Sequence, residues 1–424
     1  MFLGGTYTDT YFVGDDGFWP DYRQFYVHSV NGTEDLPIWL VAYPGLTRPS
    51  FSPTNVAPKS IAPVIFASSS NWIVRGIESS GGYGSGINLS GGSNNIDIAD
   101  VYVHDRPGLG GYGNHGCVTF SQGGIGNNLR YSTLDNCNNP DNPTNYNNSL
   151  IVIFDQRATD ISYNNLINTA SARVSSGIKD KHAYYSPTDI AKGNYISGVE
   201  TAFVLGGGRG WNITNNLVVS VNSGLQLSDC GGSNYYGNMT FENNTIIFDN
   251  IGMTIKPEWG YNADATPAAN NLSGLPNPPE ASTVRKNVFV GLMTSLNDNY
   301  HMWNIFMYGR PAIYDRIFSG RLWVPSNNSY YAKRLGGAPS GSFKVFSYCD
   351  SCGRVKPKGS DYSLFGLKSD ASYLEVGSSA EDPELDSMSV VRNSSLSSWG
   401  YMPLSSVSAE NILPPSELKG TVVH

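Results

Sequence analysis

Gly177-Ile178-Lys179-Asp180-Lys181-His182 is the stretch whose outline recurs along the chain: a small residue, alternating apolar and polar positions, then a polar turn. The same shape stands at Gly86-Ile87-Asn88-Leu89-Ser90 and Gly116-Cys117-Val118-Thr119-Phe120, and in more apolar form at Leu150-Ile151-Val152-Ile153-Phe154. It returns at Ala202-Phe203-Val204-Leu205-Gly206, Gly224-Leu225-Gln226-Leu227-Ser228 and Gly252-Met253-Thr254-Ile255-Lys256. Alternation over about five residues is the signature of a strand with one buried face. The 177–182 copy breaks the pattern, placing Asp180 where its relatives carry Leu89, Leu205, Leu227 and Ile255. A charge at an expected core position marks a site where local and global preferences disagree, and such sites are often functional.

Composition narrows the class. With 27 Lys and Arg against 35 Asp and Glu, the formal net charge is −8, which excludes a broadly basic surface of the kind that binds nucleic acid. The 47 glycines and 26 tyrosines, with recurrent Asn-Asn pairs, read as a loop-rich all-β chain. No apolar run approaches the roughly 18 residues that span a bilayer, so no membrane partner is expected. The five cysteines leave at least one without an intramolecular disulfide partner, and Cys349-Asp350-Ser351-Cys352 reads as a local staple.

Asn-centred turns precede strands at Asn95, Asn128, Asn165, Asn194, Asn216, Asn244 and Asn287, at intervals of 33, 37, 29, 22, 28 and 43 residues. Internal repeats in this range mean a solenoid, propeller or array. Each repeat holds two or three short strands and no amphipathic helix, and the 22-residue interval is too short for a four-stranded blade. The expected fold is an all-β, single-domain, right-handed parallel β-helix, its uneven intervals reflecting long loops on one face. Residues 139–148 and 262–282 are the largest candidate insertions. Residues 1–415 form the β-helix in this reading, with 1–60 as N-terminal coils and cap, 300–415 as less regular C-terminal coils and 416–424 as a tail. The windows 300–323 and 360–368 are expected to be short helices or ordered loops.

Gly4-Gly5-Thr6-Tyr7, Ala42-Tyr43-Pro44-Gly45, the Asn ladder and Asp382-Pro383 together resemble the secreted β-helix polysaccharide lyases of the pectate-lyase-like superfamily. The 177–216 segment looks most like the chondroitinase B and alginate lyase branch. That resemblance implies a catalytic lysine at a strand end, matched by Lys181, and an arginine one coil later; the arginine position falls at Gly206, with Arg209 three residues on. It also implies calcium, for which Asp155, Asp180 and Asp229 are the available carboxylates, although the branch's acidic pair ahead of the lysine has no clear counterpart. Secretion is implied as well, and no signal peptide is visible at Met1.

Such a lyase removes the C5 proton of a uronic acid and expels the C4 substituent. The reaction needs a cation against the carboxylate and a base within hydrogen-bond reach of the proton. A lysine serves as base only where burial or nearby positive charge disfavours its ammonium form. Outward positions on adjacent coils lie about 4.8 Å apart, so they build one continuous wall. The residues assigned to catalysis are Lys181, Arg209, Lys179 and His182; Arg157, Tyr184, Tyr185, Gln226 and Lys256 are assigned to substrate binding. Cations gathered on one wall of an acidic chain point to an acidic polysaccharide partner, and a monomer is favoured over an oligomer.

Ordinary readings stand beside these. A lysine pair on an exposed strand face often only guards an edge, His182 and Asp229 suit turns, and Tyr184 and Tyr185 can pack beneath a loop. His104-Asp105-Arg106 reads as a structural cluster. Two other functions remain open: an inverting glycoside hydrolase using Asp180 and Asp229, whose carboxyls would need to stand about 6.5–9.5 Å apart, and a non-catalytic carbohydrate-binding spike or adhesin.

Overall fold

The computed structural model describes residues 5–8, 11–14, 23–43, 46–53, 62–82, 84–105, 115–137, 148–170, 174–181, 189–206, 210–228, 239–256, 282–285, 287–291, 301–305, 323–326, 328–331 and 343–345. Among these residues the strands pair only in parallel, coil upon coil, in a 21-stranded and a 10-stranded sheet. This is the parallel β-helix expected from the repeats. One coil shows the plan: Tyr195–Ser197, then Val199–Gly206, then Asn212–Thr214 across a turn in the second sheet. In the next coil the first two strands fuse into a single strand, Leu217–Ser228.

The repeated outline marks one column of strands: Arg23–His28, Ala62–Ala67, Ile87–Ser90, His115–Phe120, Asn148–Phe154, Val174–Lys181, Val199–Gly206, Leu217–Ser228 and Thr245–Lys256. Register carries Val27 onto Phe66, Leu89, Phe120, Ile153, Asp180 and Leu205 in turn. Apart from Asp180 these are apolar core residues with at most 2% exposure. Each fully buried Val, Leu, Ile or Phe stabilises the stack by about 1.5–3 kcal/mol.

A tight turn repeats between the two sheets. Gly76, Asp100, Tyr131, Tyr163, Gly193, Asn215 and Asn243 all have φ between 49° and 68°. Left-handed backbone favours Gly, Asn and Asp, and the two tyrosines in the series stack at 5.4 Å with rings 6° from parallel. Gly193 is required for a second reason: a Cβ there would lie 2.5 Å from the Tyr163 ring.

The residue after this turn builds the asparagine ladder. Asn164, Asn194, Asn216, Asn244 and Asn287 are fully buried, and each amide nitrogen of the first four donates to the next side-chain oxygen at 2.9–3.1 Å. Each also donates to a backbone carbonyl of its own or the preceding coil, as Asn194 does to Ile161 at 2.8 Å. Ser132 occupies the place below Asn164. The expected frame therefore needs a correction. Asn95 and Asn128 belong to strands of the 10-stranded sheet, Asn94–Ala99 and Asn128–Arg130, so their interval measures a different turn. Asn164, and not Asn165, is the ladder residue, giving steps of 30, 22, 28 and 43 residues.

Cys117, in the core, is bridged to Cys137 across 20 residues. Closing a loop of that length stabilises by about 3 kcal/mol. The Cys349–Cys352 staple lies outside the described residues. Within the 300–323 window, His301–Ile305 is a strand paired with Ile251–Ile255, not a helix or loop. Among the described residues no helix is long and apolar enough to cross a membrane.

Candidate functional site

Strand Val174–Lys181 places the anchor stretch in the middle of the stack. Ile178 and Asp180 point to the interior, so alternation turns Lys179 and Lys181 to the opposite, outward face. Both lysines are withdrawn from solvent, with 7% and 8% exposure. Lys179 stands in register between Val152 and Val204, with Gln226 one strand further on. Lys181 stands beside Phe154, and its backbone carbonyl accepts from the amide of Asp155 at 3.4 Å. Asp155 itself is half-buried in a left-handed turn with φ 56°. Arg157 is exposed two residues later.

The wall extends toward the C-terminus. Gly206 pairs with Ser228 and Ser228 with Lys256, so Lys256 lies three strands beyond the lysine strand, about 14 Å by strand spacing. Gln226, half-buried, shares the Lys179 column. The structure thus brings Lys179, Lys181 and Gln226 onto one sheet face, with Asp155 at its margin and the Lys256 backbone in register further along the stack. His182, Tyr184, Tyr185, Arg209 and Asp229 lie outside the described residues.

Asp180 is different. It was a candidate metal ligand and one half of a hydrolase pair, and its position corrects both assignments. Its carboxyl is 1% exposed, and Oδ2 accepts the indole N–H of Trp211 at 2.8 Å, inside the core. It therefore faces away from any ligand on the lysine wall, and a sugar at that wall cannot reach it. Among the described residues no group of three His, Cys, Asp or Glu side chains is arranged to hold a metal.

Sequence reading missed Asp189, a second buried carboxyl whose charge acts on Asp180. Asp189 precedes strand Ile190–Lys192, is 2% exposed, and accepts the backbone amide of Thr159 at 2.8 Å. Gln156, one coil below, accepts from Asn127 at 2.8 Å. Gln156 Nε2 and Thr159 Oγ1 are buried without hydrogen-bond partners among the described residues. Burial, then the neighbouring Asp189 charge, push the Asp180 carboxyl well above the usual carboxylate range, against the pull of the Trp211 hydrogen bond. A buried carboxyl of this kind avoids its desolvation cost by staying neutral. The available signal was Asp180 itself, because a carboxyl in a core column needs a donor from a neighbouring coil.

His104 and Asp105 are tied into local contacts, and Arg106 lies outside the described residues. His104 Nδ1 lies 2.8 Å from Asp105 and Nε2 lies 3.3 Å from Glu78, while the imidazole stacks on Tyr102 at 4.0 Å. The hydrogen bond from His104 holds the Asp105 carboxyl below the usual range.

No protein-family model matches the chain, and no curated protein matches it. Among solved structures it is similar to pectate lyase Pel9A, at 15% identity, 73% coverage of this chain and 68% of that one, with a TM-score of 0.42. It is also similar to an alginate lyase from Paenibacillus sp. str. FPU-7, at 13% identity, 67% and 89% coverage and a TM-score of 0.38. A third is the tailspike protein of E. coli bacteriophage HK620, at 13% identity, 81% and 58% coverage and a TM-score of 0.42. Likeness at this level carries no functional weight.

Proposed function

We propose that this protein is a secreted polysaccharide lyase that cleaves an acidic, uronate-containing glycan by β-elimination. The observation that carries the reading is the lysine wall: two lysines on one outward strand face, each at most 8% exposed, in a chain of net charge −8. Edge-guarding lysines are solvated; these are withdrawn. Lys181 is assigned as the base. It takes the C5 proton, the released electron pair forms the C4=C5 double bond, and the C4–O bond breaks as the leaving oxygen is protonated. Lys179 is assigned to the uronate carboxylate, whose neutralisation makes the C5 proton removable. Arg209, which follows the neighbouring strand Val199–Gly206 in the chain, is assigned to the same task. His182 is assigned to orienting Lys181. Arg157, Gln226 and Lys256, with Tyr184 and Tyr185, are assigned to holding the flanking sugars.

Among the described residues no three His, Cys, Asp or Glu side chains are arranged to hold calcium, and Asp180 is turned inward to Trp211.

The assignment is tested by separating binding from turnover. Lys181→Ala is expected to lower kcat by at least about a hundredfold while substrate is still retained, in line with general-base contributions of about 10²–10⁴. Lys179→Ala is expected to lower kcat/KM with part of the loss in KM. Full activity in Lys181→Ala would remove the base from this residue.

A further inference from the structure

The same sheet face carries a second feature far from the lysines. In strand Arg23–His28, Phe25 and Val27 are core residues, so Tyr26 and His28 turn outward. Register places His28 on Ala67 and Ala67 on Ser90. Ser68, Gly91 and Gln122 then occupy successive left-handed turns, with φ of 49°, 60° and 64°. These residues border an open depression of about 350 Å3, lined by Tyr26, His28, Ala67, Ser68, Ser90, Gly91 and Gln122. Small side chains in the middle make its floor, and the two rings and the glutamine stand at its ends.

The floor depends on Gly91. A Cβ there would lie 2.6 Å from Ser68 Oγ, which instead donates to the Gly91 carbonyl at 3.0 Å. Gln122 Oε1 accepts the Gly91 amide at 2.7 Å, which fixes the glutamine's orientation. The Tyr26 and His28 rings are 6.0 Å apart and inclined by 31°, forming an aromatic corner. His28 Nδ1 is buried and has no hydrogen-bond partner.

We infer that this depression is a sugar-binding subsite, taking one hydroxyl-bearing ring of the polysaccharide at a distance from the lysine wall. The described lining residues include no Lys, Arg, Asp or Glu and suit hydroxyls and a ring face. Its size is at the small end of ligand pockets, enough for a sugar ring. An aromatic corner with an imidazole, serines and an amide supplies the apolar face and the alternating donors and acceptors that a pyranose presents. His28 lies five strand steps from Val174–Lys181, about 24 Å, and Gln122, at the near end of the depression, follows a strand two steps away, about 10 Å. A sugar ring at the His28 end and a uronate at the lysines therefore belong to one chain longer than a disaccharide. This inference rests on the lyase reading for its substrate and on the depression for its site.

The test is a binding measurement, made in the Lys181→Ala background so that turnover does not consume ligand. Retardation of the protein in gels containing a panel of acidic and neutral polysaccharides gives dissociation constants, and titration with disaccharides from each retarding polymer gives the short-chain comparison. His28→Ala and, separately, Gln122→Ala are expected to weaken polymer binding about tenfold, the effect of losing one or two ligand hydrogen bonds. The disaccharide is expected to lose less than the polymer. Gln122 is exposed, so its variant keeps the test valid if His28→Ala folds poorly. Polymer binding within twofold of the parent in Gln122→Ala and in folded His28→Ala would overturn the subsite, as would equal losses for disaccharide and polymer, or no retardation on any glycan. Retardation lost in these variants, from a wild type that forms no unsaturated product, would leave the subsite standing and sink the lyase reading.

Discussion

Asp180→Asn isolates the buried acid. Asparagine keeps an oxygen for the Trp211 indole, which now donates to Asp180 at 2.8 Å, and replaces the ionisable hydroxyl with an amide group that does not titrate. Leucine is a poorer probe. It would leave the indole N–H unpaired at about 1–3 kcal/mol while adding apolar burial worth about 1.5–3 kcal/mol, and the two nearly cancel. The sign follows from the direction of the shift. The folded carboxyl is raised well above 3.8 by burial first and Asp189 second, so the folded chain keeps a proton that the unfolded chain releases. Wild-type stability at this residue is therefore fully present below the unfolded pKa and is lost as pH rises toward the folded pKa. Within that window the slope approaches about 1.4 kcal/mol per pH unit. Urea unfolding of both proteins from about pH 4 to about pH 8 gives the comparison, because groups they share cancel in the difference. Asp180→Asn is expected to gain on wild type steadily as pH rises. A difference that stays flat, or one in which wild type gains with pH, would refute a neutral buried Asp180.

Two further outcomes follow from the scaffold. Asn194→Ala removes bonds to Asn164, Asn216 and the Ile161 carbonyl, all buried, and is expected to cost at least about 3 kcal/mol by urea unfolding. Reducing Cys117–Cys137 is expected to cost about 3 kcal/mol and to lower Tm, measured by calorimetry with and without reductant; an unchanged Tm after verified reduction would show that the loop it closes is already constrained.

The strand column was legible because its alternation is local. Gly86–Ser90, Gly116–Phe120 and their relatives each show a buried face within five residues, and the structure aligns them in register. The asparagines were legible as turn residues but not in frame. Asn suits both the ladder turn and the turns that begin Asn94–Ala99 and Asn128–Arg130, so spacing alone merges two kinds of corner. The Cys117–Cys137 bridge was not legible, since it joins a core position on one strand to a residue after Thr133–Asp135 through the winding of the coil. Asp180 announced itself as a misplaced charge, but its donor stands 31 residues on in the other sheet's coil. The outward turn of Lys179 and Lys181 followed from alternation. Their near-complete burial did not, because it depends on what the rest of the fold lays over that face.

The most direct measurement is product chemistry of the wild-type protein offered a panel of uronate polysaccharides, with and without chelator. Absorbance of the unsaturated uronate is followed alongside new reducing ends. β-Elimination at the lysine wall predicts that the two signals rise together on at least one substrate and that the absorbance is lost in Lys181→Ala, while the chelator arm reports any need for a metal. Reducing ends without absorbance, on any member of the panel, would contradict the account and make the protein a hydrolase.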